Sequence, residues 1–255
     1  MKNQSYKNKE YKSSSALSPE FACLGTVEAD ASGHYGMFVK KEFLGKDAID
    51  KIISFKDWSS FLDIGAGKCQ QSNFLKKHTN KNIYTNDLNT ESQNCSNIKN
   101  SYDFVGEFQK IEFKDKKFDV VCAIHVLEHV LNVNEFLKKM ISVTKENGYL
   151  CVVVPIRKPF VVSGHMSIWN PGLLIYNLVA AGLDCKECMI LQKDYEISVI
   201  VKANKRDTSK DHLFLCRDTG DLKNLKNYFP KILHESIDDY DCFDGDIFML
   251  NWESD

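Results

Sequence analysis

The sequence predicts an α/β protein built on a doubly wound, mostly parallel sheet with helices on both faces. Three observations carry this. Strand and helix patterns alternate from about residue 58 onward. The segment "GYLCVVVP" is apolar at nearly every position from Tyr149 to Val154, as a strand covered on both faces must be. "FLDIGAGKC" passes from strand to helix through two glycines, which suits the first βα turn of such a sheet.

The elements follow in order. Residues 1–20 are polar and rich in Ser and Lys, and 37–56 hold a short helix with Ile49, Ile52 and Ile53 on one side, expected to cover the core. Then come "SSFLDI" as a strand, 70–78 as a helix, "NIYTND" as a strand, and a polar helix or loop near 90–99. "YDFVGE" and "KFDVVCAI" read as strands, 132–142 as a helix, and "GYLCVVVP" as the fifth strand. "WNPGLLIYNLVAAGL" is a helix opened near Pro171, a first-turn proline, and closed by Gly182. "CKECMILQ" and "YEISVIVKAN" form an expected antiparallel hairpin. In 205–255, "DLKNLKNYF" suggests a helix and "GDIFMLNW" a strand. At 255 residues the chain reads as one domain with embellishments: a lid and cover helix over 1–57, a core over 58–204 and an appended extension over 205–255.

Composition narrows the function. Lys and Arg number 33 against 35 Asp and Glu, a formal charge of −2, so nothing in the balance calls for nucleic acid as a partner. Apolar runs are too short or interrupted to cross a bilayer, and the basic start lacks a following apolar core, so the expected location is the cytoplasm. Nine cysteines, several inside strand patterns, suit buried reduced thiols. The CxxC of Cys185 and Cys188 has no second close pair to complete a tetrahedral metal site.

Gly65 and Gly67 follow the strand "FLDI", with Ala66 between them. Their missing side chains permit either a tight turn or the close approach of a ligand. Asp87 ends the next strand, 24 positions after Asp63, where an acid accepts both hydroxyl hydrogens of a ribose. The pair points to a nucleoside-containing cofactor. A dinucleotide fingerprint keeps a third glycine, but here Cys69 stands in its place, and the acid Asp63 precedes the turn. A carboxylate beside the ligand favours a cationic cofactor, S-adenosylmethionine, over NAD, without closing the choice.

With "FLDIGAGKC", "NIYTND", "DFVGEFQKIEF", "KFDVVCAIHVLEHV" and "ENGYLCVVVP" in this order over about 60–155, the chain resembles the class I S-adenosylmethionine-dependent methyltransferases, in particular their small-molecule branch. The resemblance implies a seven-stranded sheet of order 3-2-1-4-5-7-6 with strand 7 antiparallel. It places Asp63 near the methionine end of the cofactor, Asp87 with the following Leu88 at the ribose, and Glu107 and Phe108 around the adenine. Ala123 and His125, at the end of the fourth strand, complete the expected cofactor set. Cys69 and Glu107 depart from the usual glycine and aspartate. "SGHMSIWNPGLLIYNLVAAGLDC" is loosely similar to bacterial methyltransferases associated with surface or capsule polysaccharide production.

"HVLEH" matches the HxxEH zinc-protease pattern literally, but it sits at the mouth of a parallel sheet rather than on a settled helix, so no metal is expected. His129 is a candidate acceptor-orienting group or proton acceptor, and His165, between the fifth strand and the next helix, a candidate for direct acceptor contact. Tyr35, in the glycine-flanked "SGHYGMF", is the third catalytic candidate. Trp169 reads as packing, and Arg157 and Lys158 as solvated cations or partners of an anionic acceptor. The expected reaction is methyl transfer to an oxygen of a small polar acceptor such as a sugar or nucleotide-sugar. The alternatives are N-methylation of a small phosphorylated amine and a noncatalytic cofactor-binding subunit. Neither nucleic acid nor membrane insertion is expected.

Overall fold

The structure is a computed structural model that describes residues 42–88, 102–158, 161–213, 215 and 219–253, together with the backbone of two short strands before them. Two compact units divide the chain, Met1–Lys40 and Lys41–Asp255. In the first, β1 (Val27–Ala29) pairs antiparallel with β2 (Tyr35–Met37).

The second unit opens with α1 (Lys46–Ser54), then runs β3 (Ser60–Ile64), α2 (Gln70–His78), β4 (Asn82–Asp87), β5 (Phe104–Val105), β6 (Phe118–Ile124), α3 (Val133–Val143) and β7 (Thr144–Pro155). It continues through α4 (Pro171–Ala180), β8 (Met189–Lys193), β9 (Glu196–Lys202), α5 (Asp221–Leu225), α6 (His234–Tyr240) and β10 (Met249–Leu250). The sheet order is β5-β4-β3-β6-β7-β9-β8-β10. β3 to β7 are parallel, and β9 runs antiparallel to both β7 and β8. This is the expected 3-2-1-4-5-7-6 arrangement with an eighth strand added, because Met249 and Leu250 pair with β8 at the edge. Two strands are shorter than the sequence suggests. β5 spans only Phe104–Val105, and β8 starts at Met189 because Cys185 to Cys188 is a turn closed by a backbone hydrogen bond of 3.1 Å. The expected element near 90–99 lies outside the described residues.

Period-two alternation along the central strands sorts the core into two layers. Leu62, Val121, Leu150 and Val152 face one side, where α3, α4, Leu225, Phe229 and Ile237 pack; Phe61, Val120, Cys122 and Cys151 face the other, under Ile49 and Ile52 of α1 and Leu75 of α2. The helix starts are written locally. Asn132 accepts the amide of Glu135 at 3.3 Å to open α3, and Asn170, followed by Pro171, accepts that of Leu173 at 2.7 Å to open α4. The C-terminal segment is pinned to α4: buried Arg206 donates to the Val179 carbonyl and pairs with Asp211 at 2.6 Å. A Cβ at Gly172 would lie 2.6 Å from the Gly245 backbone, so only glycine allows that approach. Among the described residues no helix is long and apolar enough to cross a membrane.

Candidate functional site

At the carboxyl ends of the parallel strands lies a cleft of about 820 Å³, within the range of small-molecule sites. Gly65, Asp87, Leu88, Glu107, Phe108, His125 and His129 line it, so seven of the residues expected from the sequence meet there. Gly65 has φ +67°, and a Cβ on it would stand 2.4 Å from Val126 Cγ2; glycine is required both by conformation and by space. Asp87 is held by backbone. Its Oδ2 accepts the Gly67 amide and its Oδ1 the Leu88 amide, both at 2.7 Å, which fixes the carboxylate at the cleft wall with further lone pairs to offer. Glu107 pairs with Lys110 at 2.5 Å on the rim, and Phe108 is packed between Phe113 and Phe136.

Other expected residues sit behind the wall. Ala66 is buried with Cys69 and Tyr102, and the Tyr102 hydroxyl donates to the Gly67 carbonyl at 2.7 Å. Ala123 is fully buried in the core. Asp63 does not line the cleft. Its carboxyl is buried beneath α2, accepts the Ser72 hydroxyl, and burial pushes its pKa up to about 7 against that hydrogen bond. A group so placed is a poor source of the negative charge that the sequence argument for a cationic ligand used.

The opposite wall is made by side chains from distant parts of the chain. β6 ends at Ile124, and His125 follows in the left-handed region at φ 53°, a conformation that costs a non-glycine residue about 1–2 kcal/mol. Two buried glutamates hold it there. His125 Nε2 lies 3.0 Å from Glu196 Oε1, and Nδ1 lies 3.3 Å from Glu128 Oε1. Tyr195 stacks on the ring, and Glu196 also accepts the Gly45 amide at 2.7 Å. Burial alone would lower the His125 pKa, but the close approach of the Glu128 and Glu196 carboxylates outweighs it and pushes the pKa up to about 9. His125 is thus a cation at neutral pH, held by side-chain contacts as well as by its backbone.

The loop after β7 closes over this wall. The Glu128 carbonyl accepts the amides of Met166 at 2.7 Å and Ser167 at 3.3 Å, and the Gly164 carbonyl lies 2.9 Å from His129 Nδ1. A carbonyl only accepts, so Nδ1 carries a proton, and in the neutral ring the lone pair is on His129 Nε2. His165 meets the His129 ring edge to face, centroids 4.9 Å apart. A second pocket of about 340 Å³ opens on the far side of His165, lined also by Ile156, Lys158, Val161 and Met166. Burial holds the His165 pKa below the usual histidine value.

Of the remaining candidates, Trp169 is buried and bridged to Ile156, Lys158 stands over the Tyr195 ring at 4.4 Å, and Arg157 pairs with Asp246 on the surface at 3.1 Å. Cys185 and Cys188 are buried, and burial pushes both thiols up, Cys188 to about 12. The side chain of Tyr35 lies outside the described residues. Sequence reasoning gave Glu196 no role, although an acid inside the apolar strand pattern "YEISVIV" was an available signal.

Residues 62–152 match the family model described as a methyltransferase domain. A curated relative, the malonyl-[acyl-carrier protein] O-methyltransferase of Calditerrivibrio nitroreducens, is 28% identical over 97 residues, which are 37% of this chain and 38% of that protein. The chain thus spans about two fifths of its relative's length. Among solved structures, a SAM dependent methyltransferase from Aquifex aeolicus is similar at 17% identity over 63% of this chain and 90% of that one, with a TM-score of 0.50. Another, from Archaeoglobus fulgidus, is similar at 16% identity over 61% and 94%, with a TM-score of 0.48. Residues 62–152 are thus similar to methyltransferase domains, and the sheet order above is the Rossmann-like fold shared with the Aquifex aeolicus structure.

Proposed function

We propose that the protein is an S-adenosylmethionine-dependent methyltransferase that acts on an oxygen of a small polar acceptor, of the sugar or nucleotide-sugar class. The observation that carries this reading is the junction of two cavities: His129 lines the larger, His165 the smaller, and their rings touch. The larger suits the cofactor. In this reading Asp87, oriented by two amides, would accept from a ribose diol and Glu107 and Phe108 would flank the adenine, while Gly65 keeps the floor free of side chain. The cofactor supplies a methyl group already activated on a sulfonium, so this chain's task is to bind, align and exclude water rather than to form a covalent intermediate. The smaller pocket is walled by the "SGHMSIW" loop and offers the acceptor Lys158 and apolar contact from Val161 and Met166.

An oxygen acceptor must lose its proton as it is methylated, and a neutral His129, its Nδ1–H held by the Gly164 carbonyl, would offer an Nε2 lone pair at the cleft to take it. That arrangement favours oxygen over an amine, which needs only its neutral lone pair.

Incubation with S-adenosylmethionine and separate pools of nucleotide-sugars, free sugars, phosphorylated amines and small carboxylic thioesters tests the reading by adenosylhomocysteine release. Turnover is expected with a sugar pool. Turnover with amines alone would overturn the oxygen acceptor, and tight cofactor binding with no turnover in any pool would favour a noncatalytic subunit. Asp87→Ala should weaken cofactor binding roughly 10- to 100-fold by calorimetry, the loss expected for a charge-assisted hydrogen bond. An unchanged affinity would remove Asp87 from the site.

A further inference from the structure

Glu128 does not itself line the cofactor cleft, yet it is a fully buried carboxylate, and neither of its oxygens has a hydrogen-bond partner among the described residues. The nearest cation, His125 Nδ1, stands at 3.3 Å from Oε1 without a well-aligned hydrogen bond and is shared with Glu196. Desolvating a carboxylate this way is costly unless a cation completes it. On its other side, His129 Nε2 lies 3.8 Å from the same Oε1, and His165 closes the group: one ligand atom from each of the three side chains falls within 4.8 Å of the others.

We propose that Glu128, His129 and His165 form a binding site for a divalent transition-metal ion at the junction of the two cavities. The His129 tautomer suits this role. Its Nδ1–H is anchored on the Gly164 carbonyl, which leaves Nε2 as the ligand atom, the arrangement seen in histidines that bind metal. Gly164 makes the approach possible, since a Cβ there would lie 3.3 Å from His129 Nδ1, and its φ is +79°. Metal–nitrogen and metal–oxygen bonds of about 2.0–2.2 Å set tetrahedral ligand atoms about 3.4 Å apart, so atoms that lie within 4.8 Å must draw together by at most about 1.4 Å. His129 and His165, neither of them fully buried, have room for that movement, while Glu128 stays fixed.

Two imidazoles and one carboxylate favour a borderline ion such as zinc or iron(II), with the harder manganese as a paramagnetic stand-in, over magnesium or calcium, which prefer all-oxygen sites. Three protein ligands also leave coordination positions open for an acceptor oxygen. This differs from the HxxEH zinc pattern, because His125 has both nitrogens turned to carboxylates and is not a ligand. As far as catalysis goes, the assignment rests on the methyl-transfer reading: His129 becomes a ligand, and a hydroxyl bound to the ion sheds its proton more readily. The binding itself does not depend on that reading.

The test is equilibrium dialysis of the full chain against zinc and manganese, with metal content measured by elemental analysis and bound manganese by electron paramagnetic resonance. About one equivalent should bind. His165→Ala and His129→Gln should each weaken binding by roughly tenfold or more, with the metal-free melting temperature of each variant confirming that it folds. Absence of stoichiometric binding, or an affinity unchanged in either variant, would overturn the proposal. A chain that binds the ion but not S-adenosylmethionine would sink the methyl-transfer reading and leave this site standing; full turnover after exhaustive chelation would leave the enzyme and remove the ion from catalysis.

Discussion

At the ends of β3 and β4 the pocket is made of backbone. Gly65 and the amides that seat Asp87 come from a strand–turn–helix unit, and the contacts span about twenty residues or fewer. At the ends of β6, β7 and β9 the pocket is made of side chains, with His125 reaching Glu196 across 71 positions and His129 reaching Gly164 across 35. The first wall depends on conformation, and the second on buried charge. They should therefore fail in different ways when altered.

The largest effect is expected on the charged wall. Glu196→Ala leaves His125 with one carboxylate and strips the Gly45 amide of its acceptor, so stability should fall by about 3–5 kcal/mol, as when one member of a buried ion pair is removed. Chemical denaturation at pH 7 measures it. A loss below about 1 kcal/mol, the scale of an exposed pair, would show that this wall is not held by charge.

On the backbone wall the greatest sensitivity lies at Gly65. Alanine there must take a left-handed conformation and force its Cβ against Val126 Cγ2, for a combined cost of about 2–4 kcal/mol with the cleft distorted. Cofactor affinity and stability should fall together; a variant that keeps both would mean that Val126 moves aside without consequence.

These two sites also show what the sequence could and could not disclose. Gly65 and Asp87 were legible because the physics that needs them is local: a turn that must leave a strand and enter a helix restricts residue type at fixed offsets. The five parallel strands and the reversed one were legible from alternation, and the resemblance supplied their order. The eighth strand was weaker because two residues, Met249 and Leu250, are too few to show a period. Glu128 and Glu196 carried no local requirement. Their meaning arises only when the sheet sets β9 beside β7 and brings Glu196 to His125. The same applies to Asp63, whose position before the glycines suggested a charge facing the ligand while the pleat turns it under α2.

Asp63 offers a pH test of that correction. Burial raises its pKa from 3.8 to about 7, so between those values the folded chain binds more protons than the unfolded one. Its contribution to stability is fully present below pH 3.8, declines as pH rises, and is lost once pH passes about 7. Asp63→Asn keeps an acceptor for Ser72 without the titrating proton. The stability difference between variant and parent should shift in the variant's favour from pH 4 to pH 7, by on the order of 3 kcal/mol. A parallel pair of stability curves would place a charged Asp63 against solvent or ligand instead.

Gly67→Ala should have the smallest effect, and it sharpens the contrast within the glycine turn. Gly67 has φ +49°, yet a Cβ built there meets nothing closer than the Gly65 carbonyl oxygen at 4.0 Å. The cost is then conformational alone, about 1–2 kcal/mol of stability. The amide that holds Asp87 Oδ2 is retained, so cofactor affinity by calorimetry should stay within about threefold of the parent, less than 1 kcal/mol. Should affinity fall much further while stability falls only this far, the space above Gly67 is ligand space, and both glycines serve the approach of a cofactor. If affinity holds, Gly65 alone meets the pocket, and Gly67 is there to turn the chain and seat the aspartate.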